Sequence, residues 1–244
     1  MKILVFDDKK VHLVSALRTL VGHDLVVVST YDEAQKALVS EVDYDRAEEL
    51  LPGLLVEAGL SATFNPHRED KDVSEADKAK YWVARQKSQD MATNRPDFDV
   101  VLTDLLVPAS RQAQGDVGRA LVGKEMPLGT IIALLALVAG VKKVAVVTDM
   151  NHHNHPASAA FDCFGKCKLP GVNIICTNRA GMVNIDEETE ELVDVEFLRD
   201  DKHNDTAEGL KKYPYVGPDN WGPRKGLGQG KNWGEILKQL MGEV

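Results

Sequence analysis

The chain has 244 residues, 43% of them hydrophobic and 27% charged, with a net charge of −9. Such proportions suit a folded protein that buries a core without disulfide or metal staples. The acidic balance and the scatter of Lys and Arg exclude a broad nucleic-acid surface, which needs clustered positive charge.

The first apolar run, Ile3–Phe6 (ILVF), reads as a strand. A helix follows, with Val11, Val14, Leu17 and Val21 on one face, and then a second strand, Leu25–Val28 (LVVV). Roughly residues 32–96 form a helical insert. One helical stretch is expected from Asp32 through Leu60 with a break at Pro52-Gly53; another opens on the capping pattern Ser74-Glu75-Ala76-Asp77 and ends before Asn94. Between them Asn65–Asp72 reads as an exposed loop, while Tyr81 and Trp82 read as core. Val100–Leu102 is the third strand, Thr130–Ala139 a helix apolar nearly all round, Val144–Val147 the fourth strand and Val172–Cys176 the fifth. The stretch Thr130–Gly140 is too short to span a bilayer and reads as a buried helix.

Beyond the fifth strand lies an extension over about residues 180–230, acidic from Asp186 to Asp201 and rich in Gly and Pro from Pro214 to Gly230. Irregular structure is expected there. A final amphipathic helix, Asn232–Met241, would pack Trp233, Ile236, Leu237 and Leu240 on the sheet. Continuous runs rich in β-branched residues, alternating with helices, predict an α/β domain with a parallel sheet covered on both faces. One domain, residues 1–244, carries both insert and extension. The charge that interrupts MKILVFDD gives no secretory pattern, and Cys163, Cys167 and Cys176 read as reduced thiols, so a cytoplasmic protein is expected. Gly226, Gly228 and Gly230 do not sit between a strand and a helix, which sets them apart from a phosphate loop.

Ligands of open parallel sheets bind beyond the carboxyl ends of the strands. Here the first strand ends in Asp7-Asp8, the third in Thr103-Asp104 and the fourth in Thr148-Asp149. Carboxylates gathered in one crevice repel each other, and a hard divalent ion, most simply Mg²⁺, relieves the repulsion. The plain structural alternative is that Asp8 caps the next helix.

Three of these segments resemble response-regulator receiver domains. Lys2–Asp8 (KILVFDD) is similar to the receiver first strand with its metal-binding acidic pair, and Asp99–Pro108 (DVVLTDLLVP) to the third strand with its phosphoacceptor. Val144–Thr148 (VAVVT) is similar to the fourth strand with its switch hydroxyl. The resemblance implies a flavodoxin-like doubly wound sheet of five strands in the order 2-1-3-4-5. It implies Mg²⁺ on Asp7, Asp8 and Asp104, phosphorylation on Asp104, and a hydrogen bond from Thr148 to the phosphoryl oxygens. It also implies protein partners, a sensor kinase or an output protein. The chain departs from the pattern after the fifth strand, where receivers place a Lys and this sequence offers Arg179, and at Asp149, where receivers carry a small residue.

His152, His153 and His155 follow Asp149 and, with it, suggest a transition-metal site. They motivate an alternative, a metal-dependent hydrolase or phosphotransferase on the same sheet. A third reading is a receiver fold kept only as a binding scaffold.

Overall fold

The computed structural model describes residues 1–67, 73–112, 114–149, 171–177, 181–195, 199, 205–216 and 223–243. In chain order it begins with β1 (Lys2–Phe6), α1 (Lys10–Thr19), β2 (Asp24–Val28) and α2 (Tyr31–Leu38). Next come β3 (Glu41–Val42), α3 (Tyr44–Glu57), α4 (Glu75–Met91) and β4 (Thr93–Asn94). β5 (Val100–Asp104), β6 (Val107–Pro108), α5 (Gly115–Arg119), β7 (Glu125–Met126), α6 (Gly129–Val138) and β8 (Lys143–Val147) follow. The chain then runs through β9 (Asn173–Thr177), β10 (Met182–Asp186), β11 (Leu192–Val193), α7 (Ala207–Lys212), β12 (Leu227–Lys231) and α8 (Trp233–Met241). Among the described residues no helix is long and apolar enough to cross a membrane.

Two compact units result, one from Met1–Leu38 with Asp97–Val244 and one from Val39–Pro96. In the larger unit five strands form a wholly parallel sheet in the order β2-β1-β5-β8-β9. Successive side chains of a strand point to opposite faces, and here both faces are covered. Leu4, Phe6, Val101, Val144 and Val146 pack with Ala34 and Leu38 of α2 and Ile132 and Ala136 of α6. Ile3, Val5, Val100, Leu102, Ala145 and Val147 pack on the other side with Ala16 and Leu20 of α1 and Trp233, Ile236, Leu237 and Leu240 of α8. Double coverage is why these strands read as unbroken apolar runs instead of alternating ones.

Three helical expectations need correction. The buried face of α1 carries His12, Val14, Ser15 and Ala16, with Leu20 just beyond, whereas Leu17 and Val21 are exposed. The reason is that α1 is covered by β12 and α8 as well as by the main sheet. α6 exposes Ile131, Leu134 and Val138, so it is amphipathic in its surroundings although nearly all its residues are apolar. The helix expected across Asp32–Leu60 is two helices, α2 and α3, parted at β3; α3 runs on through Pro52. Pro52 and Gly53 lie on the exposed face, so the turn without an N–H donor is open to solvent, while Leu51, Leu54 and Leu55 hold the opposite face.

The extension is more regular than its composition suggests. β10, β11 and β12 form an antiparallel sheet in the order β11-β10-β12. A Cβ on Gly228 would stand 2.7 Å from Val11 Cγ2, and one on Gly230 would stand 2.5 Å from the Cβ of Ser15. These two residues of β12 share one face of the strand, and only glycine lets it lie this close to α1. α8 starts directly afterwards, its Asn232 side chain accepting the Glu235 N–H.

In the smaller unit α3 and α4 enclose Leu51, Leu54, Leu55, Tyr81 and Ala84. β3 pairs antiparallel with β4. Ser74 caps α4 as expected, accepting the Asp77 N–H at 3.1 Å. Tyr81 is core, but Trp82 is 51% exposed and meets His67 and Tyr81 edge-on. The loop expected at Asn65–Asp72 lies partly outside the described residues, at 68–72.

Candidate functional site

β1 and β5 are hydrogen-bonded neighbours, so Asp7, directly after β1, and Asp104, the last residue of β5, emerge side by side. Asp8 completes the group: one oxygen from each of Asp7, Asp8 and Asp104 lies within 4.8 Å of the others. Asp7 is 0% and Asp104 2% exposed. Asp8 does not cap α1, whose N-cap is Lys9 with no side-chain cap. Instead the Asp8 Oδ1 atom is buried without a hydrogen-bond partner. A buried carboxylate oxygen without a partner, on a residue grouped with two other carboxylates, is a setting that a cation satisfies, so these three residues could hold a metal ion.

The chain also supplies a cation of its own. Lys231, at the end of β12, is 0% exposed and places its Nζ 2.6 Å from Asp7 Oδ2 and 2.7 Å from Asp104 Oδ1. The ammonium also stands 5.3 Å from the centre of the Trp233 ring. Burial pushes the Asp104 carboxyl up to about 6; Lys231 opposes the shift and the Asp7 charge adds to it. Asp8 is raised as well, first by burial and then by Asp7. The backbone supports this corner closely. Gly129 at the start of α6 donates its N–H to the Leu105 carbonyl at 3.1 Å, and a Cβ on Gly129 would fall 1.8 Å from the Asp104 carbonyl oxygen.

On the other side of β5, β8 delivers Thr148 and Asp149. Thr148 is buried, with its N–H on the Thr177 carbonyl at 3.1 Å. Asp149 joins a separate constellation: its Oδ2 lies 2.7 Å from Lys9 Nζ and 3.3 Å from His12 Nε2. The His12 hydrogen bond, followed by Lys9, holds its carboxyl well below the usual carboxylate range. His12 is 2% exposed, and its Nδ1 accepts the backbone N–H of Lys231 at 3.3 Å. That bond requires Nδ1 to carry no proton, so Nε2 carries it and donates to Asp149. Both ring nitrogens are thus engaged, and His12 serves to position its neighbours.

Of the residues singled out from sequence, the structure brings Asp7, Asp8 and Asp104 together, sets Thr148 directly after the adjoining strand β8, and pairs Asp149 with Lys9 and His12. Arg179, His152, His153 and His155, like Cys163 and Cys167, lie outside the described residues. Cys176 is a free thiol, pushed up to about 12 by burial. Lys231, Lys9 and His12 were missed. One signal was available for Lys231: glycines at alternate positions, Gly228 and Gly230, mark a strand pressed against another element, and Lys231 follows them just before a helix cap.

Comparison with protein-family models, curated proteins and solved structures returned no match for this chain.

Proposed function

We propose that the protein is a receiver-like phosphoacceptor module, in which Asp104 takes a phosphoryl group and Asp7 and Asp8 hold a divalent cation beside it. The observation that carries this reading is the buried bridge of Lys231 between Asp7 and Asp104 in a pocket that also holds Asp8. A lysine ammonium tied to the acceptor carboxylate is what receivers place at the end of their fifth strand. In this chain that role falls to the end of β12, immediately ahead of the last helix. The sheet order, which a flavodoxin-like topology shares, supports the same reading.

In this reading an Asp104 oxygen attacks the phosphorus of a phosphorylated donor. The bond from phosphorus to the donor breaks, and the donor leaves with the electron pair. Bound Mg²⁺ would neutralise charge on the transferring group. Lys231 keeps Asp104 oriented and stabilises its ionised form against burial. Thr148, directly after the next strand, donates its hydroxyl to the new phosphoryl oxygens and carries the change to nearby loops. With a net charge of −9, the output runs to a protein partner and not to nucleic acid.

Incubation with acetyl phosphate and Mg²⁺, followed by intact mass measurement, tests the reading. A gain of one phosphoryl group, lost in Asp104→Asn and on chelation, is expected. A folded wild-type protein that gains no Asp104-dependent mass overturns it.

A further inference from the structure

β5 lies between β1 and β8 in the sheet, so the ends of β1 and β8 stand two strand spacings, about 10 Å, apart. Lys9 follows β1 and Asp149 follows β8, yet Lys9 Nζ and Asp149 Oδ2 meet at 2.7 Å. Lys9 and Asp149 together therefore span the gap beyond the end of β5, the strand whose last residue is Asp104. His12 reaches the same Asp149 oxygen from α1 at 3.3 Å.

We infer that Lys9 is a phosphoryl ligand held in reserve on Asp149: when an anionic phosphoryl group occupies Asp104, Lys9 leaves Asp149 for its oxygens, and His12 keeps Asp149 paired. This inference rests on Asp104 being the acceptor. Three features support it. A phosphoryl group brings close to two negative charges at neutral pH, whereas Lys231 is already committed between Asp7 and Asp104 and its backbone is held by His12. The side chains of Lys9 and Asp149 are 37% and 22% exposed, and a partly exposed ion pair has little net strength, so its exchange is easy. Burial works against the Lys9 charge but is outweighed by the Asp149 hydrogen bond and by the fields of Asp149, Asp104 and Asp7, which places Lys9 within electrostatic reach of the acceptor. The arrangement also accounts for a carboxylate beside a phosphoryl site. Asp149 has two partners, the Lys9 ammonium and the His12 ring N–H, and the hydrogen bond from His12 remains when Lys9 leaves.

The test is a double-mutant cycle read by ¹⁹F NMR titration of beryllofluoride, a phosphoryl stand-in, with Mg²⁺ present. Lys9→Met is expected to weaken binding about tenfold, as the loss of one charge-assisted hydrogen bond. Asp149→Asn is expected to tighten it, and the gain should disappear when Lys9 is also Met. If Asp149→Asn gives the same gain in both backgrounds to within about twofold, the two residues act only through their long-range fields and the exchange is refuted. An unchanged affinity in Lys9→Met refutes it equally. A folded wild-type protein with no Mg²⁺-dependent bound fluoride signal overturns the phosphoacceptor reading itself, and this inference with it. Near-isosteric replacements at partly exposed positions keep the variants folded, which far-UV circular dichroism verifies.

Discussion

Replacing Lys231 with Met isolates the interaction at the centre of the site. The two side chains are similar in volume, so packing beside Trp233 is kept while the charge is lost. Asp7 and Asp104, 0% and 2% exposed, then face each other with their shared ammonium gone. Removing one side of a buried ion pair costs about 3–5 kcal/mol, which should be the loss at pH 8. Acidification relieves it. Asp104 already titrates at about 6 with Lys231 present and opposing that rise; without the ammonium its carboxyl rises further above the unfolded value. A folded-state value raised above the unfolded one means that the folded protein binds the proton more tightly, so the variant gains more from acid than the wild type. Urea unfolding followed by circular dichroism at pH 5, 6, 7 and 8 should show the loss shrinking to roughly half by pH 5. Mg²⁺ should stabilise the variant more than the wild type, since a cation then has no internal competitor. A loss below about 1 kcal/mol at pH 8, in the range of a solvent-exposed pair, would refute the reasoning. So would a loss that does not vary with pH.

Three more perturbations probe the same geometry. Asp104, at about 6 in the folded chain against 3.8 for the ordinary group, should add up to about 3 kcal/mol of stability as pH falls from 7 to 4. Asp104→Asn lacks that slope, and parallel pH–stability curves for the two proteins would contradict it. Asp149, whose carboxyl is lowered, acts in the opposite direction and only below that window. Gly230→Ala forces a Cβ against Ser15 and should cost about 1–3 kcal/mol in urea unfolding. His12→Leu leaves the Lys231 N–H without its acceptor, for a loss of about 1–3 kcal/mol. The same variant should return the Asp149 carboxyl toward the ordinary range, as read by ¹³C NMR titration; an Asp149 titration that does not move means that His12 is not its main partner.

Much of the larger unit was legible in the chain because its signals are local. Five apolar runs, each bounded by turns and alternating with helices, could bury themselves only as strands covered on both faces. Three of them end in carboxylates whose mutual repulsion points to a cation wherever they converge. The final helix was equally plain, since Trp233, Ile236, Leu237 and Leu240 recur at helical spacing and all four are buried. The face read for α1 was half right, with Val14 buried and Val11 against β12 but Leu17 and Val21 exposed, because periodicity ranks residues by polarity. His12 and Ser15 are polar yet buried, each with hydrogen bonds that no local pattern announces.

Sequence alone therefore determined the class of fold and the acidic half of the site: strand-end carboxylates follow from position along a strand, and periodicity reports that position. Which cation would answer them was decided by tertiary structure. Lys231 is more than a hundred positions from either partner in the chain and reaches them only because β12, thinned to glycine at Gly228 and Gly230, lies flat against α1. Asp149 likewise read as an intruding charge until the folded chain set Lys9 and His12 beside it. Charge pairing depends on distance in space, and spacing along the backbone records it only indirectly, as the two glycines ahead of Lys231 do.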